Sequence, residues 1–348
     1  MENELELFES QLEKEHTRGL WREVPADSPV ESRGPKPVAQ PYVWKWQKLS
    51  KLLEQAVSVV QIDRASERRV LQLRNPGLSR GTTLTLSGCL QILCPGENAP
   101  THRHTAAAIR FIIKGSGAYT VVNGERIMMG EGDLVLTPAM TWHDHGSESS
   151  TPVIWFDGLD APFVSYLNLS FFDAYSSDKQ PITKADALTT KTLGSGGLRP
   201  RWLKPKENVD LPFIYSWKET YDALSRLAAL EGHGDPFDGI ILDYGNPVTG
   251  GPTLRTLGCQ VQLLRPGEKT RPHRHTTSVV YLAFRGGGSI VVDDKQFDWV
   301  QGDTIALPSW SWHQFSNPSS SEAILFSIND RPILEPLGLY REETKPEA

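Results

Sequence analysis

A long-period repeat limits this chain more than any other feature. His102-Arg103-His104-Thr105 recurs as His273-Arg274-His275-Thr276, an offset of 171 residues. The same offset relates Pro41 to Pro212, Asn75-Pro76 to Asn246-Pro247, and Pro95-Gly96-Glu97 to Pro266-Gly267-Glu268. Pro138 to His143 returns as Pro308 to His313, one residue short of that register. Self-similarity over so long a period means a duplicated domain rather than a solenoid. A chain of 348 residues has room for two such domains, each with its own core.

The repeated unit can be read locally. Two histidines two apart on a strand point to one side. After them come Gly115, Gly117, Asn123-Gly124 and Gly130-Glu131-Gly132-Asp133, which read as hairpin turns. A third histidine, His143, opens a later short strand. The block from Pro95 to Gly146 therefore reads as a small antiparallel barrel with His102, His104 and His143 pointing inward. Three neutral nitrogen ligands with open positions suit a catalytic Fe, Zn, Cu or Mn ion. Six of the nine histidines stand at these positions in the two copies.

The segments between obey the same logic. Residues 2–16 form an amphipathic stripe of Leu5, Phe8 and Leu12, an N-terminal helical arm. Pro25, Pro29, Pro35 and Pro37 then break any regular structure. A helix is expected at Trp46 to Ala56, with Leu49, Leu52 and Leu53 on one side. Strands are expected at Glu67 to Leu73, Thr82 to Leu93, Val153 to Asp157 and, less regularly, Phe163 to Phe172. Residues 173–210 are polar, carry Gly194 to Gly197, and read as a connecting arm. The expected domains are an arm (1–40), a first barrel (41–172), a linker (173–210) and a second barrel (211–348).

Composition narrows the function classes. A net charge of -6 gives no electrostatic support for nucleic-acid binding. No apolar run approaches a membrane span, and the acidic N-terminus is unlike a secretory signal. Three cysteines, Cys89, Cys94 and Cys259, give no paired framework, so a reducing cytoplasm is the expected compartment.

The runs HRHT-x4-RF-x3-G-x-G and TP-x3-WH-x-H resemble the bicupin ring-cleaving dioxygenases. Within them the resemblance is to the gentisate 1,2-dioxygenase group, which includes salicylate and 1-hydroxy-2-naphthoate dioxygenases. It covers Pro41 to about Ile333. It implies an all-β fold of two antiparallel double-stranded β-helix (jelly-roll) barrels with short helices. It also implies Fe(II), O2, and a homo-oligomer, a tetramer. The implied substrate is an aromatic acid with a hydroxyl ortho to its carboxylate, gentisate or a substituted salicylate. The ring would open between the carboxyl-bearing and hydroxyl-bearing carbons. Many cupins carry a glutamate four or five residues after the second histidine. Ala108 and Ile109 stand there, which leaves a three-histidine site and disfavours a decarboxylase or isomerase.

Under this resemblance Arg110, an even number of residues along the strand from His104, is expected to bind the carboxylate as a planar fork. Arg68 or Arg69 is expected to give a second contact; alternation turns only one inward. Gln91 is expected to hydrogen-bond substrate or metal-bound water. His145, on the face of His143, is a candidate proton carrier. Asp157 stands where the family has an active-site aspartate. The sequence departs from the family at Ser87, where tryptophan is common, and at Cys89, where glycine or alanine is. These changes imply a larger or more polar pocket. In the second copy Tyr281, Phe315, Ser327, Gly239 and Ile240 replace Arg110, His145, Asp157 and the arginine pair, so that barrel reads as structural. The alternatives are a non-catalytic bicupin that binds a small aromatic acid, or another metal-dependent cupin enzyme.

Overall fold

The computed structural model of the protein describes residues 2–17, 19, 21, 34–62, 68–194, 198, 200–204 and 211–345. Pro25, Pro29, Glu67 and the glycine run at 195–197 lie outside the described residues. Residues 1–36 form one compact unit and residues 37–348 another. The first unit carries the helix Glu2–Lys14, where Phe8 stacks on Trp21 with centroids 5.8 Å apart.

The second unit holds four antiparallel sheets, two for each copy of the repeat. In the first barrel the six-stranded sheet runs in the order Ile214–Tyr215, Leu134–Thr137, Ala108–Lys114, Val153–Leu159, Ser87–Leu93, Arg69–Leu73. Its five-stranded sheet runs Phe172–Ala174, Asn98–His104, His143–Ser147, Ala118–Val122, Glu125–Met129. The second barrel repeats the plan from Tyr42–Trp44 to Ile240–Asp243 and from Lys295–Val300 to Glu342–Thr344.

The two barrels exchange strands. Tyr42–Trp44 pairs with Thr304–Leu307 in the second barrel, and Ile214–Tyr215 pairs with Leu134–Thr137 in the first. Matching carboxylates fasten each crossing. Asp303 accepts from the Trp46 amide at 2.7 Å, and Asp133 accepts from the Trp217 amide at 2.8 Å.

The six-stranded sheets also pack on each other through one continuous core. Phe111 stacks on Phe326 with centroids 4.2 Å apart and meets the edge of Phe284. A strand buried on both faces reads as a near-continuous apolar run, which describes Ala108–Lys114. Alternation then turns Phe111 toward the other barrel and Arg110 into its own. Gly158 lies where the barrels approach closely: a Cβ there would meet Ile328 Cδ1 at 2.8 Å.

Four segments depart from the sequence expectations. Thr82 to Leu86 is a turn, and the strand begins at Ser87. The Thr82 hydroxyl donates to the Leu73 carbonyl at 2.5 Å and accepts from the Gly88 amide at 2.7 Å. Such side-chain bonds offer the backbone an alternative to ladder pairing. Residues 161–166 form a helix, Ala161–Tyr166, because Pro162 in the first helical turn has no amide to lose. The helix at Trp46 runs to Val59 and buries Leu49 and Leu53, while Leu52 is exposed. The stretch after residue 172 also carries ordered structure. Asp173 and Ala174 extend the five-stranded sheet, and Thr189, at the start of the helix Leu188–Leu193, bonds Glu125.

Candidate metal centre and substrate pocket

The strand Asn98–His104 pairs with His143–Ser147 so that His102 stands opposite His143. His102 and His104 share a face by period-two alternation. The ligand nitrogens of all three lie within 4.8 Å of one another. Each ring is oriented through Nδ1 to a backbone carbonyl: His102 to Pro100 at 2.8 Å, His104 to Ala106 at 2.7 Å, His143 to Thr141 at 2.9 Å. A carbonyl only accepts, so each Nδ1 carries the proton and each Nε2 presents a lone pair inward. His143 Nε2 is buried with no hydrogen-bond partner. Burial, followed by the Arg68 charge, pushes the His102 pKa down to about 3; burial takes His104 to about 4 and His143 well below its usual value. The imidazoles are therefore neutral, the form a metal binds. This donor set fits a divalent transition metal.

Arg68 faces this triad. Its Nη1 lies 3.2 Å from His102 Nε2, and because a guanidinium only donates, this contact also marks Nε2 as the bare nitrogen. Arg69 is turned the other way. It is buried against Glu97 at 2.6 Å and donates through Nε to the Val60 carbonyl at 2.7 Å.

Arg110 is buried close to the same triad. Its Nε lies 3.3 Å from Asp157 Oδ1, and its Nη1 donates to Thr137 Oγ1 at 2.5 Å. Burial lowers its pKa only to about 10, so it stays a cation at neutral pH. Asp157 stands directly opposite both Arg110 and Cys89 in the sheet, and its Oδ2 accepts from Trp155 Nε1 at 3.0 Å. Gln91 stands opposite Trp155. His145 is fully enclosed, with Nδ1 2.9 Å from Thr120 Oγ1, and burial pushes its pKa well below the ordinary range. Ser87 and Cys89 share the face of Gln91; Ser87 Oγ accepts from Gln72 Nε2 at 3.1 Å. The Cys89 thiol, pushed up to about 12 by burial, is neutral.

Sequence reasoning missed Trp155, Thr137, Thr120 and Phe172. Phe172 stacks on the His102 ring with centroids 5.3 Å apart while more than half exposed, at the edge of the site. Trp155 was legible in the sequence, since it lies two residues from Asp157 on one strand and so shares its face. The other three come from pairings that local sequence does not record.

Among the described residues, three buried polar atoms here have no hydrogen-bond partner, Gln91 Nε2, His143 Nε2 and His145 Nε2, while Arg110 Nε and Asp157 Oδ1 meet only as an ion pair. Buried polar groups are normally satisfied. These atoms lie near the Arg68 guanidinium, which sets positive charge against the histidine triad.

Comparison with known proteins agrees with this architecture. The cupin domain family matches residues 89–159 and 260–329. The chain is 39% identical over 98% of its length to a 5-aminosalicylate 1,2-dioxygenase of Comamonas sp, covering 91% of that protein. It is 38% identical over 99% of its length to a 1-hydroxy-2-naphthoate 1,2-dioxygenase of Nocardioides sp. (strain KP7), covering 88% of it. The crystal structure of a salicylate 1,2-dioxygenase from Pseudoaminobacter salicylatoxidans superposes with a TM-score of 0.89 at 32% identity, covering 99% of this chain and 94% of that one. With two cupin barrels, two histidine triads and full-length relatives at this identity, the chain belongs to the bicupin family of ring-cleaving gentisate and salicylate 1,2-dioxygenases.

Proposed function

We propose that this chain is an Fe(II) enzyme that opens an ortho-hydroxylated aromatic acid, gentisate or a substituted salicylate, between its carboxyl-bearing and hydroxyl-bearing carbons. Both atoms of O2 enter the ring-opened dicarboxylic keto acid. The observation that carries the reading is the first triad itself, with Gln91 Nε2, His143 Nε2 and His145 Nε2 left unpartnered beside the Arg68 and Arg110 guanidinium groups. The iron, when bound by His102, His104 and His143, supplies the electron exchange that lets triplet oxygen react with a closed-shell ring.

The protein does the rest by placement. Arg68 and Arg110 hold the substrate carboxylate, and Asp157, fixed by Trp155, sets the angle of Arg110. Gln91 Nε2 would donate to the phenolic oxygen of the substrate or to a metal-bound water. His145, neutral and held by Thr120, takes the phenol proton at Nε2. Burial of Arg110, His143, His145 and Gln91 limits water around the reacting groups and helps keep ring and oxygen adjacent. Ser87, Cys89 and Gln72 make one wall small and polar, which admits a polar group on the ring.

The test is oxygen uptake by the iron-loaded protein across gentisate, salicylate, 5-amino-, 5-nitro- and halosalicylates and 1-hydroxy-2-naphthoate. Turnover of at least one is expected, with polar-substituted salicylates ahead of the naphthoate. No uptake with any of them, with iron present at the first triad, overturns the proposal.

A further inference from the structure

We propose that the second triad, His273, His275 and His313, is a structural divalent-metal site with the Asp238 carboxylate as its fourth ligand. The two triads share one backbone plan, but an acidic side chain stands in the second where a guanidinium stands in the first. The three nitrogen ligands of the second lie within 4.8 Å of one another, as in the first. Phe237 stacks on His273 with centroids 5.2 Å apart, much as Phe172 stacks on His102 at 5.3 Å. The group set against the leading histidine differs. His102 Nε2 faces the Arg68 guanidinium at 3.2 Å, whereas His273 Nε2 faces Asp238 Oδ1 at 3.8 Å. On the opposite edge of the ring, His273 Nδ1 lies 3.5 Å from Glu342 Oε1. Where the first barrel has Arg110 and His145, the second has Tyr281 packed on Phe315. Carboxylates around the triad repel an aromatic acid and attract a cation.

Proton bookkeeping in the triad points the same way. His313 Nδ1 donates to the Ser311 carbonyl at 3.0 Å, so its Nε2 is bare. That bare nitrogen lies 2.7 Å from His273 Nε2, which in a neutral ring must then carry the proton. His273 Nδ1 is thereby also bare, buried without a hydrogen-bond partner, and turned toward an acidic oxygen. A cation between the two Nε2 atoms removes the conflict. His273 then binds through Nε2 and donates Nδ1–H to Glu342, the carboxylate–histidine arrangement common around metals. The two nitrogens need to separate only to about 3.4 Å for tetrahedral metal–nitrogen bonds of about 2.1 Å. Three imidazoles and one carboxylate make a closed set for Zn(II), Mn(II) or Fe(II). Such an ion joins the strands His273–His275 and His313–Ser316, paired only at His273 opposite His313, to the loop at Asp238.

The experiment uses the full chain with His102→Ala and His143→Ala, which removes the first site. After chelator treatment the protein is offered Zn(II), Mn(II) or anaerobic Fe(II) separately. Bound metal is read by equilibrium dialysis and elemental analysis, and thermal unfolding is read alongside. One equivalent per chain and a raised Tm are expected with at least one of these ions. A further His313→Ala substitution should abolish both, and Asp238→Asn should weaken binding by at least about 10-fold. If the double variant does not fold, the same readings are taken on the second equivalent in the wild-type chain. No bound metal in a folded protein, or binding indifferent to His313→Ala, overturns the site. Binding that needs His313 but is indifferent to Asp238→Asn overturns the assignment of the fourth ligand.

Discussion

Arg110 and Asp157 stand directly opposite each other on adjacent antiparallel strands, with Arg110 Nε 3.3 Å from Asp157 Oδ1 and both side chains buried. Neither geometry nor energy lets either residue act alone. A buried charge without its partner costs several kcal/mol, on the order of 3–5. Trp155 and Thr137 hold the outer edges of the pair. The guanidinium is thus a fixed fork, aimed before any substrate arrives.

Arg110→Ala should lower kcat/KM by about 10- to 150-fold from lost binding alone, since a charge-assisted hydrogen bond contributes roughly 1.5–3 kcal/mol. Metal content at the first triad should be unchanged, because Arg110 supplies no ligand. Arg110→Lys should recover only part, as a point charge cannot reproduce a two-pronged contact. Oxygen-uptake kinetics with iron quantified in the same samples decides this; unchanged kcat/KM for every active salicylate would make the arginine structural.

His102→Ala and His143→Ala should each release the metal of the first triad on dialysis and abolish turnover. The proposed site has three oriented imidazoles, and each substitution leaves two. Elemental analysis and oxygen uptake read both effects together. Wild-type activity in either variant contradicts the ligand assignment.

The pH dependence of metal uptake has a definite sign. A histidine at its ordinary pKa of about 6.5 must lose a proton to bind metal at pH 6. Here burial holds His104 near 4 and His102 near 3, so both are already neutral at that pH. Affinity at the first triad should stay flat from pH 7 to about pH 5 and fall as the pH drops through 4. In the His313→Ala background, calorimetry in buffers of different ionisation enthalpy should detect almost no proton release at pH 6. Release approaching one proton per histidine would show that the site is open to water in solution.

Gly158→Ala should destabilise the chain by about 1–3 kcal/mol, the usual cost of overpacking. The added Cβ would meet Ile328 Cδ1 at 2.8 Å across the seam between the barrels, and Ile109 Cδ1 at 3.1 Å on the neighbouring strand of its own sheet. Urea unfolding curves measure the loss. An unchanged midpoint would mean that the barrels pack more loosely than described.

The sequence carries the convergence of the histidines because period-two alternation is a local rule. It carries the duplication because like positions kept like residues. It does not carry which of Arg68 and Arg69 faces the triad. That choice depends on Glu97 and the Val60 carbonyl, which capture Arg69 from elsewhere in the chain. The exchange of Tyr42–Trp44 and Ile214–Tyr215 between barrels is equally hidden, since a short apolar strand reads alike whichever sheet it joins. The helix Ala161–Tyr166 was masked by apolar residues in apparent alternation, against which Pro162 was the contrary sign.

The central claim is ring cleavage by dioxygen, and one assay reads it directly. Oxygen consumption and loss of aromatic absorbance are followed together in the iron-loaded protein with its best salicylate. One O2 consumed per ring lost, with the absorbance of a conjugated ring-opened acid rising in step, is the predicted result. Oxygen consumed while the ring persists, or ring loss that continues without oxygen, would contradict it.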